Sequence, residues 1–398
     1  MPVLQGEYNP AVPSRVIFGR GKVDELKEEV GNLGGKRVML LSGKTVAEKT
    51  DAVRRTAAGL GDTLVGTFSG LTQRAPMEAA VEVTRMALDS GVDTLVGVGG
   101  STISDASRMI GVMMALEINT VERLLEVTRE YNGVLTPDLT GVQLPLQVSI
   151  PTTLSAGEFN MGSGCVLDGQ AGHKIRVRHP DLYANLIVLD PEMTVSTPDW
   201  LWLSTGMKAL DHCIERLYTT GNQPAIDAPI LSAAEMLFSG LPRSRESNHD
   251  LDARLGCLMG AWMSMMGAPN FATGLSHAIG HVIGVRYAVG HGYTSCVTQP
   301  YVMEYNRPVS ADKQALLARS AGIDTRGMSD EAAAEAAARA VDDLILGMGM
   351  PHRLRELEIP REDLPIIAEE VLHDRPAQTN AIPMTKPEQV MEVLEMAF

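Results

Sequence analysis

Lys208 and His212 stand four residues apart in "TGMKALDHCIERLY", the spacing that puts two side chains on one face of a helix. His277 and His281 repeat that spacing in "SHAIGHVIGVRYAVGH", and His291 follows ten residues later, behind Gly290. Four of the nine histidines therefore fall where helices could bring them together. Three imidazoles make a reasonable site for zinc or ferrous iron. A lysine in the same cluster fits a metal poorly, because an ammonium has no lone pair and repels a cation. A fixed cation could instead stabilise negative charge that develops on a substrate oxygen. The bland alternative is a helix-surface ion pair from Lys208 to Asp211 or Glu215.

A second group of residues has the chemistry of nucleotide binding. "GVGGSTISDASR" reads as a strand end, a glycine turn and a helix start. Backbone N–H groups can approach a pyrophosphate there, and the helix N-terminus favours its charge. The turn is not a full GxGxxG, since Thr102 holds the last glycine position. "SIPTTLSAGEFN" crowds Ser149, Thr152, Thr153 and Ser155 at the end of another strand, where hydroxyls can bind phosphate or ribose. "LLSGK" ends a strand with Ser42, Gly43 and Lys44, and offers no acid to repel a 2′-phosphate. NAD and NADP both remain open.

Positioning these residues requires two kinds of structure. Up to about residue 190, short apolar runs alternate with helical patterns. "KRVMLLSG", "TLVGTFSG", "VDTLVGVGGST" and "LQVSIPTT" read as strands, with a helix from Val46 to Leu60 and another in "APMEAAVEVTRMALDSG". That alternation predicts a mostly parallel sheet covered by helices. "GSGCVLDGQAGHKIRVRH" predicts an antiparallel hairpin insertion. Beyond it long helical patterns dominate: Pro198 to Tyr218, Pro224 to Leu241, Asp250 to Met266, then 311–348 and 387–397. The expected division is an α/β dinucleotide-binding domain over 1–193 and an all-helical catalytic domain over 194–398.

Bulk properties narrow the partners. The formal charge of −15 over 398 residues disfavours nucleic acid or an anionic membrane as the main partner. Cys165, Cys213, Cys257 and Cys296 form no CxxC pair, as expected of reduced thiols in a cytoplasmic protein. No signal peptide and no 18-residue apolar run is visible.

The order "GGST…ISDASR", "PTTLSAGE", "VLDPEMT", "TGMKALDHCIE", "HAIGH", "GH" resembles the iron-containing alcohol dehydrogenases, over nearly the whole chain. The resemblance implies a Rossmann-like NAD(P) domain, a helical domain, substrate in the cleft between them, and a dimer. It assigns to the cofactor Ser42, Gly43, Gly99, Gly100, Ser101, Thr102, Asp105, Thr152, Thr153, Ser155, Lys174, Leu189 and His281. His212, His277 and His291 match that family's metal-binding histidines, and Lys208 stands where the family has its metal-binding aspartate. One branch, the maleylacetate reductases, likewise lacks the aspartate and works without metal. "GTFSGLTQRAPMEAAVE" and "DHCIERLYTTGNQPAIDAPILSAAEMLFSGLPR" resemble that branch, while "GHGYTSCVTQPYVMEYN" is closer to the ordinary alcohol dehydrogenases. The expected enzyme is thus an NAD(P)H-dependent reductase of a small carbonyl or keto acid. Lys208 replaces the metal beside His212 and His291, and His277 or His281 delivers the proton. The alternatives are a metal-dependent alcohol dehydrogenase and a lyase or cyclase resembling dehydroquinate synthase.

Overall fold

The computed structural model describes residues 15–398, apart from 73–76, 130–133, 136–138, 140, 167–173, 223 and 267–272. The chain divides into two compact units between Thr197 and Pro198. Among the described residues, nine strands belong to the first: β1 (Arg15–Phe18), β2 (Val38–Gly43), β3 (Leu64–Leu71), β4 (Thr94–Gly99), β5 (Val134–Leu135), β6 (Leu146–Pro151), β7 (Gly162–Val166), β8 (Lys174–Arg178) and β9 (Leu186–Leu189). Six of them form a sheet in the order β1-β9-β6-β4-β2-β3, with every neighbouring pair parallel.

The pleat of β2 explains its unbroken apolar run. Val38 and Leu40 enter a layer with Leu26, Val30 and Leu60. Met39 and Leu41 enter the opposite layer with Ile103, Met109 and Met113. A strand covered on both faces has no polar side to show, and each such side chain stabilises the fold by roughly 1.5–3 kcal/mol. The covering helices are α1 (Leu26–Asn32), α2 (Lys44–Lys49), α3 (Ala52–Leu60), α4 (Met77–Asp89), α5 (Ser101–Ala115) and α6 (Val121–Arg129). β7 and β8 pair antiparallel, with β5 on the other side of β8. They are the expected hairpin; its Asp168–Gly169 turn lies outside the described residues.

Where one helix was expected from Val46 to Leu60, the chain makes two. Thr50 turns extended (φ −134°, ψ 167°). Its hydroxyl donates to Val46 O at 2.6 Å and accepts from Ala52 N at 3.2 Å. The side chain thus takes over bonds that a continuous helix would make with backbone.

The second unit is helical throughout its described residues: α7 (Asp199–Tyr218), α8 (Pro224–Glu246), α9 (Leu251–Ser264), α10 (Leu275–Arg286), α11 (His291–Ser320), α12 (Asp330–Gly347), α13 (Leu364–Val371), α14 (Arg375–Thr379) and α15 (Pro387–Ala397). α8 runs past the expected stop at Leu241, through Pro242. Packing outweighs the lost backbone bond there: Ser244 is buried and accepts a 2.9 Å hydrogen bond from the indole of Trp202. The expected 311–348 stretch is two helices, the end of α11 and α12, with Ser329 capping the latter through Ala332 N. α7 is buried on nearly every side, Trp202, Met207, Leu210, Ile214 and Leu217 being almost fully enclosed. A helix enclosed on every side belongs at the centre of a unit. No helix among the described residues is long and apolar enough to cross a membrane.

Candidate active site

The chemistry-bearing residues on α7 lie inside the protein because the helix does. Asp211 and Glu215 are fully buried, His212 is buried, and the Lys208 side chain keeps only 13% of its surface. A buried carboxylate needs a partner. Asp211 has Lys208, whose Nζ donates to Oδ2 at 3.0 Å. Ser295 Oγ donates to the same oxygen at 2.6 Å. The Lys208–Asp211 pair is therefore present, but buried and not on a helix surface. Burial alone would raise the Asp211 pKa; Lys208, His277 and the Ser295 bond outweigh it and hold the carboxylate below its ordinary value.

α11 reaches this pair because of Gly292. A Cβ built there would lie 2.3 Å from Ser204 O, so no side chain fits between α11 and α7. The close approach sets Ser295 against the buried face of α7, while His291, the first residue of α11, is exposed.

α10 is tied to α7 by Glu215. Its carboxylate accepts from Gly274 N at 2.6 Å and Ser276 N at 2.7 Å, where the first amides of a helix lack internal partners. It also bonds His277 Nδ1 at 2.5 Å. A carboxylate only accepts, so Nδ1 carries the hydrogen and the lone pair of the neutral ring sits on Nε2. Burial, then Lys208, lowers the His277 pKa against the opposing pull of Asp211 and Glu215. Burial, then Arg216, His277 and Lys208, holds His212 well below its ordinary value. Both rings are neutral at pH 7.

The four predicted histidines form a series of ring contacts. His212 stacks on His277 (centroids 5.0 Å apart, planes 24° apart). His277 meets His281 edge-on at 6.3 Å, and His281 meets His291 edge-on at 5.8 Å. His212 Nδ1 and His277 Nε2 are buried with no hydrogen-bond partner, as is Asp211 Oδ1. Asp211, Glu215 and His277 bring ligand atoms within 4.8 Å of one another. Arg216 completes the charged set of α7. It donates to Ser264 O, and burial pushes its guanidinium down to about 10.

In the first unit the predicted cofactor residues gather at the carboxyl ends of adjacent strands. Ser42 sits opposite Val98, and Gly99 opposite Pro151. Ser42 and Gly43 end β2, Gly99–Thr102 join β4 to α5, and Thr152, Thr153 and Ser155 follow β6. The chain runs β2 to β3 in one direction and β4 to β6 to β9 in the other, so β2 and β4 flank a switch point, the place where open parallel sheets bind ligands. Gly99 has φ +152°, and a Cβ there would lie 2.5 Å from Ile103 Cγ1. Gly100 is the N-cap of α5 and has no side chain to close the helix end. Ser42 bonds Ser69, and Thr153 bonds Ser155. Asp105 pairs with buried Arg108 at 2.7 Å, and Arg108 also donates to Gly157 O. Leu189 ends β9 on the same edge; Lys174 opens β8, in the smaller sheet.

Sequence reasoning gave no site role to Glu215, Ser295, Asp374 or Glu158. Glu215 had a signal: with Asp211 it makes a second i,i+4 pair, one step round α7 from the Lys208–His212 face. Asp374 lies 93 residues from His281, its partner, and had none. Buried Glu158 has one oxygen without a partner, and burial raises its pKa to about 7 against the pull of Arg108.

Two family profiles match the chain, iron-containing alcohol dehydrogenase over residues 13–191 and Fe-containing alcohol dehydrogenase family, C-terminal, over residues 202–398. Maleylacetate reductase 1 of Cupriavidus pinatubonensis is 26% identical, with 92% of each chain covered. The NAD-dependent methanol dehydrogenase of Bacillus methanolicus is also 26% identical, covering 93% of this chain and 94% of its own. The crystal structure of a 1,3-propanediol oxidoreductase superposes with a TM-score of 0.87 at 25% identity, over 99% of this chain and 100% of the other.

Proposed function

Because the chain belongs to the iron-containing alcohol dehydrogenase family, and is an oxidoreductase of alcohol or carbonyl groups, we propose that it is a metal-independent, NAD(P)H-dependent reductase of a small carbonyl or keto acid. The observation that carries the reading is the Lys208 ammonium, held at 3.0 Å by fully buried Asp211 in the pocket of His212 and His277.

The residues present suit a dinucleotide. A cradle that a Cβ at Gly99 would fill, an uncapped N-terminus on α5 and hydroxyls at three strand ends match a pyrophosphate and ribose. Ser42, Gly43, Gly99 to Thr102, Thr152, Thr153 and Ser155 would hold it. When bound, the cofactor supplies a hydride.

The same test goes against a divalent ion. Both Glu215 oxygens already accept hydrogen bonds, and Asp211 is neutralised by Lys208. At an effective dielectric of about 20, an ammonium about 4 Å from a divalent ion repels it by roughly 8 kcal/mol.

Lys208 takes the electrophilic role. Its ammonium donates one hydrogen to Asp211 and has two left for a substrate oxygen. Such a donor, aimed where charge develops, is worth about 3–4 kcal/mol. Ser295 fixes Asp211, so the ammonium is held without needing to reorganise during the reaction. Neutral His277, pinned by Glu215, presents an acceptor nitrogen. A histidine of the series supplies the proton. The fixed cation favours anionic keto acids among carbonyl substrates.

One observation favours a metal-dependent alcohol dehydrogenase instead: His212 Nδ1 and His277 Nε2 are buried lone-pair sites without partners. Elemental analysis separates the two readings. Protein purified without chelator or added metal is expected to hold far less than one iron or zinc per chain, and to oxidise NADH or NADPH with a keto acid in the presence of EDTA. Stoichiometric metal together with loss of activity in EDTA would overturn metal independence. A panel of aldehydes, ketones and keto acids that consumes no NAD(P)H would overturn the reductase.

A further inference from the structure

We propose that Arg216 is the residue that recognises the carboxylate of the substrate. The inference rests on the keto-acid reading and names the group that selects such acids over uncharged carbonyls. Lys208, His212 and Arg216 follow one another at i,i+4 spacing, so they lie on one strip of α7. Arg216 stands about two turns, or about 12 Å of helix axis, beyond Lys208. The Lys208 side chain leans along the axis toward it, since Nζ reaches Asp211, three residues on. Arg216 is also near enough to His212 to act on that ring's charge more strongly than His277 or Lys208 does. A donor for a carbonyl oxygen and a donor for a carboxylate thus share one strip, the pattern a keto acid needs.

Arg216 is 4% exposed, and among the described residues its guanidinium bonds no carboxylate. The acids of α7 are engaged elsewhere: Asp211 holds Lys208, and both Glu215 oxygens bond α10. A guanidinium carries five N–H groups in one plane. Nη1 donates one hydrogen to Ser264 O at the end of α9. Met265 Sδ lies 3.6 Å from Nη1 and 3.5 Å from Nη2, so it occupies the edge between them. The other edge keeps the Nε–H and the second hydrogen of Nη2, side by side. Nε is buried without a partner. Two parallel N–H groups on one edge match the two oxygens of a carboxylate. Closing α9 uses one N–H and needs no charge, whereas a buried cation is costly until an anion reaches it. The side chain over the guanidinium, Met265, is half-buried, and an unbranched thioether repacks easily.

Pyruvate and levulinate, each beside its methyl ester, are assayed with NADH and NADPH. The wild type is expected to favour the better acid over its ester by roughly 10²-fold or more in kcat/KM. Arg216→Met is expected to lose roughly 10²–10³-fold on the acid, mostly through KM, and no more than about threefold on the ester. Arg216→Lys keeps the charge without the paired N–H edge and should recover part of the loss. A residue that only closes α9 would cost acid and ester alike. Equal losses on both, or the wild-type acid preference in Arg216→Met, would overturn the anchor while leaving the reductase standing. If Arg216→Met does not fold, Arg216→Lys decides: an acid preference reduced at least about tenfold supports the anchor, and an unchanged one overturns it. A wild type inert with all four compounds would instead refute the reductase. The carboxylate site is then read from melting temperatures: it stands if levulinate raises that of the wild type but not that of the Arg216 variant, with methyl levulinate raising neither, and falls otherwise.

Discussion

Replacing Lys208 with methionine keeps most of the side-chain length and removes the charge. Asp211 then stays fully buried, with the Ser295 hydroxyl at 2.6 Å as its remaining hydrogen-bond partner. Breaking a buried pair from one side costs about 3–5 kcal/mol, because the surviving charge is uncompensated. The Ser295 hydroxyl softens the loss here, so about 3 kcal/mol is expected. Asp211→Asn strands the ammonium instead and should cost about 2–3 kcal/mol, since Lys208 retains some contact with solvent. The double variant buries no unpaired charge and should unfold within about 1 kcal/mol of either single variant, a coupling of roughly 2–3 kcal/mol. Urea unfolding followed by circular dichroism at pH 7 reads all four corners of the cycle. Activity separates the electrophile from the scaffold. Lys208→Met should lower kcat by about 10²–10³-fold, and the double variant should leave kcat as low. Additive stabilities would show that the pair is not coupled. Wild-type kcat in Lys208→Met would refute the electrophilic role.

Three further outcomes are expected. Glu158, raised by burial from 4.5 to about 7, binds its proton more tightly folded than unfolded; its stabilising effect is complete below about 4.5 and is lost as pH rises through about 7. Between pH 5 and 7.5 the wild type should therefore lose about 2 kcal/mol relative to Glu158→Gln in urea unfolding, and equal pH slopes would contradict this. Gly99→Ala places a Cβ 2.5 Å from Ile103 Cγ1 at φ +152°, so NAD(P)H affinity by fluorescence titration should fall at least tenfold, with about 1–3 kcal/mol of strain; unchanged affinity would remove the glycine turn from the cofactor site. Gly292→Ala sets a Cβ 2.3 Å from Ser204 O, which should lower stability by about 1–3 kcal/mol and kcat with it, as His291 and Ser295 shift; a wild-type melting temperature would show that α11 can move without cost.

The α/β unit was legible because its strands are buried on both faces, and β2 shows this residue by residue: Val38 and Leu40 serve one layer, Met39 and Leu41 the other. The helical unit was legible from its long periodic stretches, although its helix ends were not. Thr50 broke a predicted helix through a hydroxyl bond that propensity does not encode, and Pro242 failed to break one because Ser244 and Trp202 hold the next turn. Lys208–His212 and His277–His281 were visible as pairs, since i,i+4 spacing is local. What each ring nitrogen touches was not. Glu215 reaches His277 across 62 residues and Asp374 reaches His281 across 93. Only tertiary packing chooses such partners.

Charge balance on α7 gives the physical reason for a lysine at position 208. Four charged side chains stand within nine residues: Lys208, Asp211, Glu215 and Arg216. Three of them are buried and the fourth is nearly so. Two are positive and two negative, and His212 and His277 are held neutral, so the set sums to zero before anything binds. An aspartate at 208 would turn that sum to −2, and a buried pocket of that charge is stable only with a divalent cation inside it. Lysine supplies the compensation covalently. On the proposed reading, a lysine at this position removes the electrostatic need for an ion and offers a hydrogen-bond donor to the carbonyl oxygen.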